Sequence, residues 1–260
     1  MITLLNGDSF YKEDILQNMQ DDDYYYGFLG ENALSSSSIK KLHRSPKAYS
    51  RKSSRTSGDS QPFRDGKLIH MHLLEKEKIK DLIVVEGTKA RKDFKDAVEE
   101  HGPDKVYTSS EVNNAYQIAR AVQENDEANF LLAGCDYEVP EIDYYNGLPF
   151  RGKADAITKD RKHIVDVKTT SANIEDFKHE AFKYMYHIQA ALYLDLFKAE
   201  MFTFLVVNKY DKEIAIYECT EEFIRQGHDT LLSAIDIFKE YYCSEDSANK
   251  LKNYVVKGYL

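Results

Sequence analysis

Residues 150–170, FRGKADAITKDRKHIVDVKTT, constrain the fold of this 260-residue chain more than any other stretch. They read as two β-strands joined by a polar turn. Ile157 closes one apolar run, Thr158-Lys159-Asp160-Arg161-Lys162 makes the turn, and the β-branched pair Ile164-Val165 opens the next run. Residues i and i+2 of a strand share a face and lie about 6.5–7 Å apart along it. Asp166 and Lys168 therefore project together, while Val165 and Val167 point the other way into a core. Asp155 falls near the end of the first strand. Two carboxylates and an ammonium converging on one sheet face cost free energy unless something else is bound there. A hard divalent cation held by oxygens is the natural answer. Lys168 can then orient or activate a water, or meet charge that develops in a transition state. Charges alternating along an antiparallel strand can also be no more than the solvated face of a half-buried sheet. Apolar residues on both sides of the triplet weigh against that here.

Around this hairpin the remaining elements follow from periodicity. Residues 137–145, YEVPEIDYY, read as a strand, and Asn146-Gly147 as a tight turn into residues 148–157, making a three-stranded meander. Residues 111–132 read as one long helix with Val112, Ala115, Ile118, Ala119, Val122, Phe130 and Leu132 inward, closed by Gly134. Residues 63–79 read as a helix whose Leu68, Ile69, Met71, Leu73 and Leu74 surround Gly66 and His70. A lone histidine among apolar neighbours can be a packed core residue or a ligand. Serines 35–38 precede IKKLHRSPKAYSRK and supply an N-cap signal, with Ile39 and Leu42 inward until Pro46 ends or redirects the helix. A short strand at 81–85 and a charged helix at 91–100 complete the first half. After Thr170 come helices at 174–183 and 184–198, strands at 201–207 and 213–218, and an amphipathic helix at 221–242. The order implies an α/β (α+β) fold: a mixed central sheet flanked by helices, with an N-terminal helical elaboration. Residues 1–33, acidic and rich in tyrosine, read as an arm. Residues 34–260 form one domain, with a helical part at 34–132 and a sheet core at 135–260.

Charge and cysteine content narrow the function classes. The net charge of −9 argues against a nucleic-acid protein only on average over the surface. Between Glu31 and Asp59 there is no acid, yet Lys40, Lys41, Arg44, Lys47, Arg51, Lys52 and Arg55 follow one another. Such a segment on an acidic chain suggests contact with a polyanion, or else a solvated helix face followed by a loop. No apolar run approaches the ~20 residues that span a bilayer. Three scattered cysteines, Cys135, Cys219 and Cys243, with no CxxC, fit a reducing cytosol and offer no sequence-local zinc or iron–sulfur site.

Gln189 and Tyr193 stand four apart on the helix after the hairpin and so share a face. Taken in order, Gly152-Lys153-Ala154-Asp155, Asp166-Val167-Lys168 and Gln189-Ala190-Ala191-Leu192-Tyr193 resemble the GxxD…DxK…QxxxY pattern. That pattern marks the RecB/RecE-like branch of the PD-(D/E)XK nuclease superfamily. Asp65-Gly66-Lys67-Leu68-Ile69-His70 with Leu73-Leu74-Glu75 is similar to that branch's histidine motif, and SSSSIKKLHRSPKAY to the start of phage exonuclease-VIII-type domains. The resemblance covers about residues 34–200. It departs in having Asp rather than Glu at the second acidic position, and it lacks the cysteine cluster of the iron–sulfur members.

The resemblance implies a restriction-endonuclease-like core. In it Asp155 and Asp166 bind Mg2+ or Mn2+, the Val167 carbonyl is a further ligand, and His70 is a ligand or close neighbour of the metal. Lys168 would position the attacking water, and Gln189 and Tyr193 would orient the site or touch the DNA. A glutamate from the preceding strand often joins the family's site. Glu138 and Glu141 compete for that place on opposite faces of an ideal strand, and Glu141 is favoured. The basic residues from Lys40 to Lys52 would contact DNA. By resemblance the chain is a cytoplasmic exonuclease of a bacterium or phage-infected cell. It would act on duplex ends from 5′ to 3′ as a trimeric or tetrameric ring beside a single-strand annealing protein, with no membrane. An endonuclease of the same superfamily and a non-catalytic DNA-binding module are the alternatives. A glycosidase with paired carboxylates fits poorly, because it leaves Lys168 without work.

Overall fold

The computed structural model describes residues 1–50 and 60–256, and a five-stranded mixed sheet stands at its centre. The first residues, read from the sequence as an arm, pack as a layer. β1 (Ile2–Thr3) pairs antiparallel with β2 (Ser9–Phe10), followed by α1 (Lys12–Asn18), a π-helical turn over Asp23–Phe28, and α2 (Leu29–Asn32). Ile2, Leu4, Ile15, Met19, Tyr25 and Leu29 bury one another and close on Ile142 of the sheet. Their spacing matches neither a period of two nor one of 3.6 over any length, so the layer leaves no periodic trace in the sequence.

α3 (Ser36–Arg44) begins at a reciprocal cap. Ser35 Oγ accepts from the Ser38 N–H at 3.3 Å, and Ser38 Oγ accepts from the Ser35 N–H at 2.9 Å. Ile39 and Leu42 are fully buried, which fixes the rotation of the helix. Pro46 opens α4 (Pro46–Ser50), at the helix start where its missing N–H costs nothing. The next layer holds α5 (Gln61–Leu74), a 3-10 turn over Lys76–Asp81, β3 (Ile83–Val85), α6 (Lys92–His101), β4 (Val106–Thr108), α7 (Ser109–Glu124) and α8 (Asp126–Leu132). β3 and β4 make a small parallel pair. The helix expected across 111–132 is two helices. Asn125 leaves helical geometry (φ −86°, ψ 120°) and caps α8 by accepting from the Ala128 N–H. The change of direction turns Phe130 out, 80% exposed, where continuous periodicity would have placed it inward.

The central sheet runs β5 (Asp136–Tyr145), β6 (Leu148–Ile157), β7 (His163–Thr170), β8 (Met201–Asn208), β9 (Ile214–Glu218). Only β7 and β8 are parallel, and the crossover between them carries α9 (Phe177–Lys183) and α10 (Tyr186–Phe197). α11 (Glu221–Tyr242) and α12 (Ser247–Lys252) follow. Alternation along the sheet feeds two cores. Ile164, Phe202, Phe204 and Val206 join residues of α3, α10 and α11, while Val165, Val167, Leu205 and Val207 join those of α5 and α7. α10 is apolar nearly all round because it is buried against α11 and the sheet. Gly227 of α11 allows that approach, since a Cβ there would lie 2.2 Å from the His187 carbonyl oxygen. Among the described residues no helix is long and apolar enough to cross a membrane.

Candidate active site

The site forms where a ladder stops. β6 and β7 pair at Ile157 with Ile164 and at Ala156 with Val165, and no further. One residue on, side chains take the backbone groups of β7. Asp155 Oδ2 accepts from the Val167 N–H at 2.8 Å, and His70 Nε2 on α5 donates to the Val167 carbonyl at 2.9 Å. A carbonyl only accepts, so Nε2 carries a proton. Nδ1 lies 3.7 Å from Asp155 Oδ2. The Val167 carbonyl, expected as a metal ligand, is thus engaged by His70.

The glutamate beside them is Glu138, whereas Glu141, the one favoured from the sequence, lies elsewhere. His70, Glu138 and Asp155 each offer a ligand atom within 4.8 Å of the others. Glu141 pairs instead with Lys12 at 2.8 Å and Arg161 at 3.7 Å. The reason is register. Asn146 (φ 49°) and Gly147 (φ 80°) form a two-residue turn that pairs Tyr145 with Leu148. Counting back places residue 138 opposite Asp155, between the pairs Tyr137–Ala156 and Val139–Ala154. Directly opposed residues share a face. The signal is therefore in the sequence, in the Asn-Gly turn rather than in the glutamates. Glu138 itself takes a left-handed conformation at φ 50°. Burial, with the carboxylates of Asp155 and Glu75, pushes its carboxyl up to about 8.

Asp166 is 1% exposed. Its Oδ1 accepts from Gln189 Nε2 at 2.6 Å, and its Oδ2 pairs with the Lys168 ammonium. Burial pushes the Asp166 carboxyl up to about 6, against the pull of Lys168. For Lys168 burial opposes the charge, but Asp166 and Asp155 outweigh it and hold the amine above its ordinary range. It stands at neutral pH as an ammonium, near the rings of Tyr186 (4.9 Å) and Phe204 (5.8 Å).

Tyr193, one turn beyond Gln189, is buried. Its hydroxyl accepts from the Lys153 N–H at 3.3 Å. Its ring would meet a Cβ on Gly152 at 2.9 Å, so the glycine of GxxD makes room for the tyrosine of QxxxY. Together they fix the β6 backbone just before Asp155.

A family model described as a PDDEXK-like domain of unknown function (DUF3799) matches residues 35–248. The chain belongs to this PDDEXK-like family. It is a member of the PD-(D/E)XK nuclease superfamily, and the mixed sheet flanked by helices is that fold. Among solved structures, a Eubacterium rectale protein provisionally named an exonuclease is similar in fold. It shares 14% identity at a TM-score of 0.61, covering 92% of this chain and 95% of that one. A phage-related exonuclease from Haemophilus somnus matches at 16% identity and a TM-score of 0.35, over 80% of this chain and 94% of that one. No curated protein matches the sequence.

Among the described residues, the basic segment of this PDDEXK-like chain does not form one surface. Lys47 donates to the carbonyls of Lys252 (3.4 Å) and Tyr254 (3.3 Å). Arg44 is exposed and Lys41 half-buried on α3, while Arg51 and Lys52 lie outside the described residues. Lys40 alone of the described four reaches the site, its ammonium 4.9 Å from the centre of the Tyr186 ring. Burial, then the Lys168 ammonium, lowers its amine to about 8. As for a metal, the donor set of two carboxylates and an imidazole nitrogen fits a divalent cation. Half-buried Glu138 beside Asp155 has its carboxyl pushed up to about 8, so it favours a proton unless another cation supplies the positive charge.

Proposed function

We propose that this chain is a divalent-metal-dependent deoxyribonuclease that works as an exonuclease on duplex DNA ends. The observation that carries the reading is the meeting of Asp155, Asp166 and a charged Lys168 with His70 and Glu138 where the β6–β7 ladder stops. His70, Glu138 and Asp155 would hold Mg2+ or Mn2+, with Asp166 adjoining. When bound, such a cation neutralises phosphate charge and makes a water more acidic.

The chain's own residues supply the rest. Lys168, kept protonated, cannot serve as a base near neutral pH. It donates hydrogen bonds, orienting a water and meeting charge that builds on phosphoryl oxygens. Gln189 holds the Asp166 carboxylate in one orientation. His70 ties α5 to β7 through the Val167 carbonyl, so its Nδ1 faces Asp155. Tyr193 and Gly152 set the backbone that delivers Asp155.

By the same reading the enzyme resects from 5′ to 3′, closes into a ring of three or four copies, and passes its product strand to an annealing protein. It would do so in the cytosol of a bacterium or a phage-infected cell. The test is incubation with Mg2+ or Mn2+ and two substrates, end-labelled linear duplex and a covalently closed circle, beside an Asp166→Ala control. Nucleotides released from the linear DNA alone, and absent in the control, are the expected result. The label lost first gives the polarity. Cleavage of the circle would replace the exonuclease with an endonuclease, and no metal-dependent product from either DNA would overturn the nuclease reading.

A further inference from the structure

Lys40 stands apart from the other described basic residues of its segment. The serine cap and the buried Ile39 and Leu42 fix α3 in rotation, and this turns Lys40 toward α10. Its ammonium lies 4.9 Å from the centre of the Tyr186 ring, and Lys168 Nζ lies 4.9 Å from the same centre. The two ammoniums are therefore no more than twice that distance apart. Lys168 has Asp166 as its counter-ion. Lys40 has no carboxylate within ion-pair distance among the described residues. An aromatic ring offsets a cation only in part, and two like charges beside one ring repel. An anion between or beside them would relieve that repulsion.

The surface continues outward in the same chemistry. Tyr184 is 44% exposed, its ring 5.8 Å from that of Tyr186 with the planes 35° apart. Between them Met185 adopts a left-handed conformation (φ 55°) at the start of α10. The Lys183 ammonium lies 5.4 Å from the Tyr184 ring. Rings and ammoniums thus follow one another outward from the catalytic lysine. Interleaved cations and exposed aromatic faces are what an unpaired nucleotide strand recognises, through its phosphates and its base faces.

We propose that Lys40, Tyr186 and Tyr184 form a subsite for the nucleotide next to the one being cut, with Lys40 on its phosphate and Tyr184 stacked on its base. The assignment rests on the nuclease reading and deepens it: the strand entering the site is unpaired there, since a base inside a duplex offers no free face to a tyrosine. Tyr186 carries both lysines and sets their spacing.

The test uses the full chain carrying Asp166→Ala, so that DNA is bound but not cut, with Mg2+ and a fluorescent duplex bearing a single-stranded tail. Affinity is read by anisotropy across a series of salt concentrations. Lys40→Gln should weaken binding roughly ten-fold and lower the slope of log affinity against log salt by about 0.7, the loss of one phosphate contact on a single strand. Lys40→Arg should restore both, and Tyr184→Ala should weaken binding with the slope unchanged. Thermal melts of each variant identify any that fails to fold, and Lys40→Arg keeps the charge where Lys40→Gln disturbs packing. Binding by the parent with Lys40→Gln unchanged in affinity and slope would overturn this assignment alone. No binding by the parent would overturn the nuclease reading beneath it.

Discussion

The two ends of the β6–β7 pair differ sharply over a single residue. At Ala156 and Ile157 the strands are joined by backbone hydrogen bonds and flanked by buried apolar side chains. At Asp155 the ladder is gone, and the Val167 N–H and carbonyl go to Asp155 and His70 instead. The first end is sheet. The second uses side chains as substitutes for sheet, and those are the side chains to which the proposed function assigns the chemistry. A buried backbone group must find a partner, so ending the ladder required acceptors and donors at this point. Groups recruited to satisfy β7 are thereby held rigidly at the candidate site.

The sharpest way to break this contrast is to remove the charges at the open end. Asp166→Asn keeps the shape beside Gln189 but takes away the counter-ion of Lys168. It should lower kcat for nucleotide release by about 1,000-fold or more, on the scale of losing a main electrostatic contributor. It should also lower the Tm, because a buried ammonium left unpaired costs about 3–5 kcal/mol. Asp155→Ala should abolish release as well. Its further cost of about 1–3 kcal/mol, read from denaturant unfolding, comes from leaving the Val167 N–H unsatisfied.

Gly152→Ala sharpens the point from the closed side. The added methyl would meet the Tyr193 ring at 2.9 Å, and overpacking of this kind costs about 1–3 kcal/mol. If the ring moves, the β6 backbone before Asp155 moves with it. Activity should therefore fall further than stability explains, checked by comparing kcat with the folded fraction.

Glu138 gives the contrast a pH dependence. Its carboxyl titrates at about 8 in the folded chain against an ordinary 4.5. The folded state therefore holds a proton that the unfolded state has lost between those values. Metal-free stability should fall as pH rises from about 4.5 to 8, by an amount on the order of a few kcal/mol. Glu138→Gln should flatten that slope in thermal melts, and a bound divalent cation should oppose it by taking the proton's place. The smallest effect belongs to Glu141→Gln. Its ion pairs with Lys12 and Arg161 lie outside the site, so it should cost under about 1 kcal/mol and leave activity intact.

Much of the closed end is legible in the sequence, because a strand with both faces specified has few alternatives. The alternation Ile164-Val165-Asp166-Val167-Lys168 assigns each side chain to a face, and the structure sends Val165 and Val167 to one core and Ile164 to the other. The four-residue spacing of Gln189 and Tyr193 puts both on one face of α10, though they serve different ends: one holds Asp166, the other packs on Gly152. What is hidden depends on partners distant in sequence. Glu138 and Glu141 look alike until the register of the Asn146-Gly147 turn is counted through. Asn125 ends a helix by a local cap that apolar periodicity alone overrides. Residues 1–33 pack on Ile142 without a repeating pattern, and Lys40 differs from Lys41 only through the rotation of α3 against α10.

The most direct test of the open end as a metal-binding catalytic face is a calorimetric titration of Mn2+ into the wild-type chain, Asp155→Asn and Glu141→Gln at pH 8. The account predicts saturable binding by wild type and Glu141→Gln, with affinity in Asp155→Asn reduced by at least ten-fold. Equal binding by Asp155→Asn, or loss of binding in Glu141→Gln, would place the metal elsewhere and contradict the site described here.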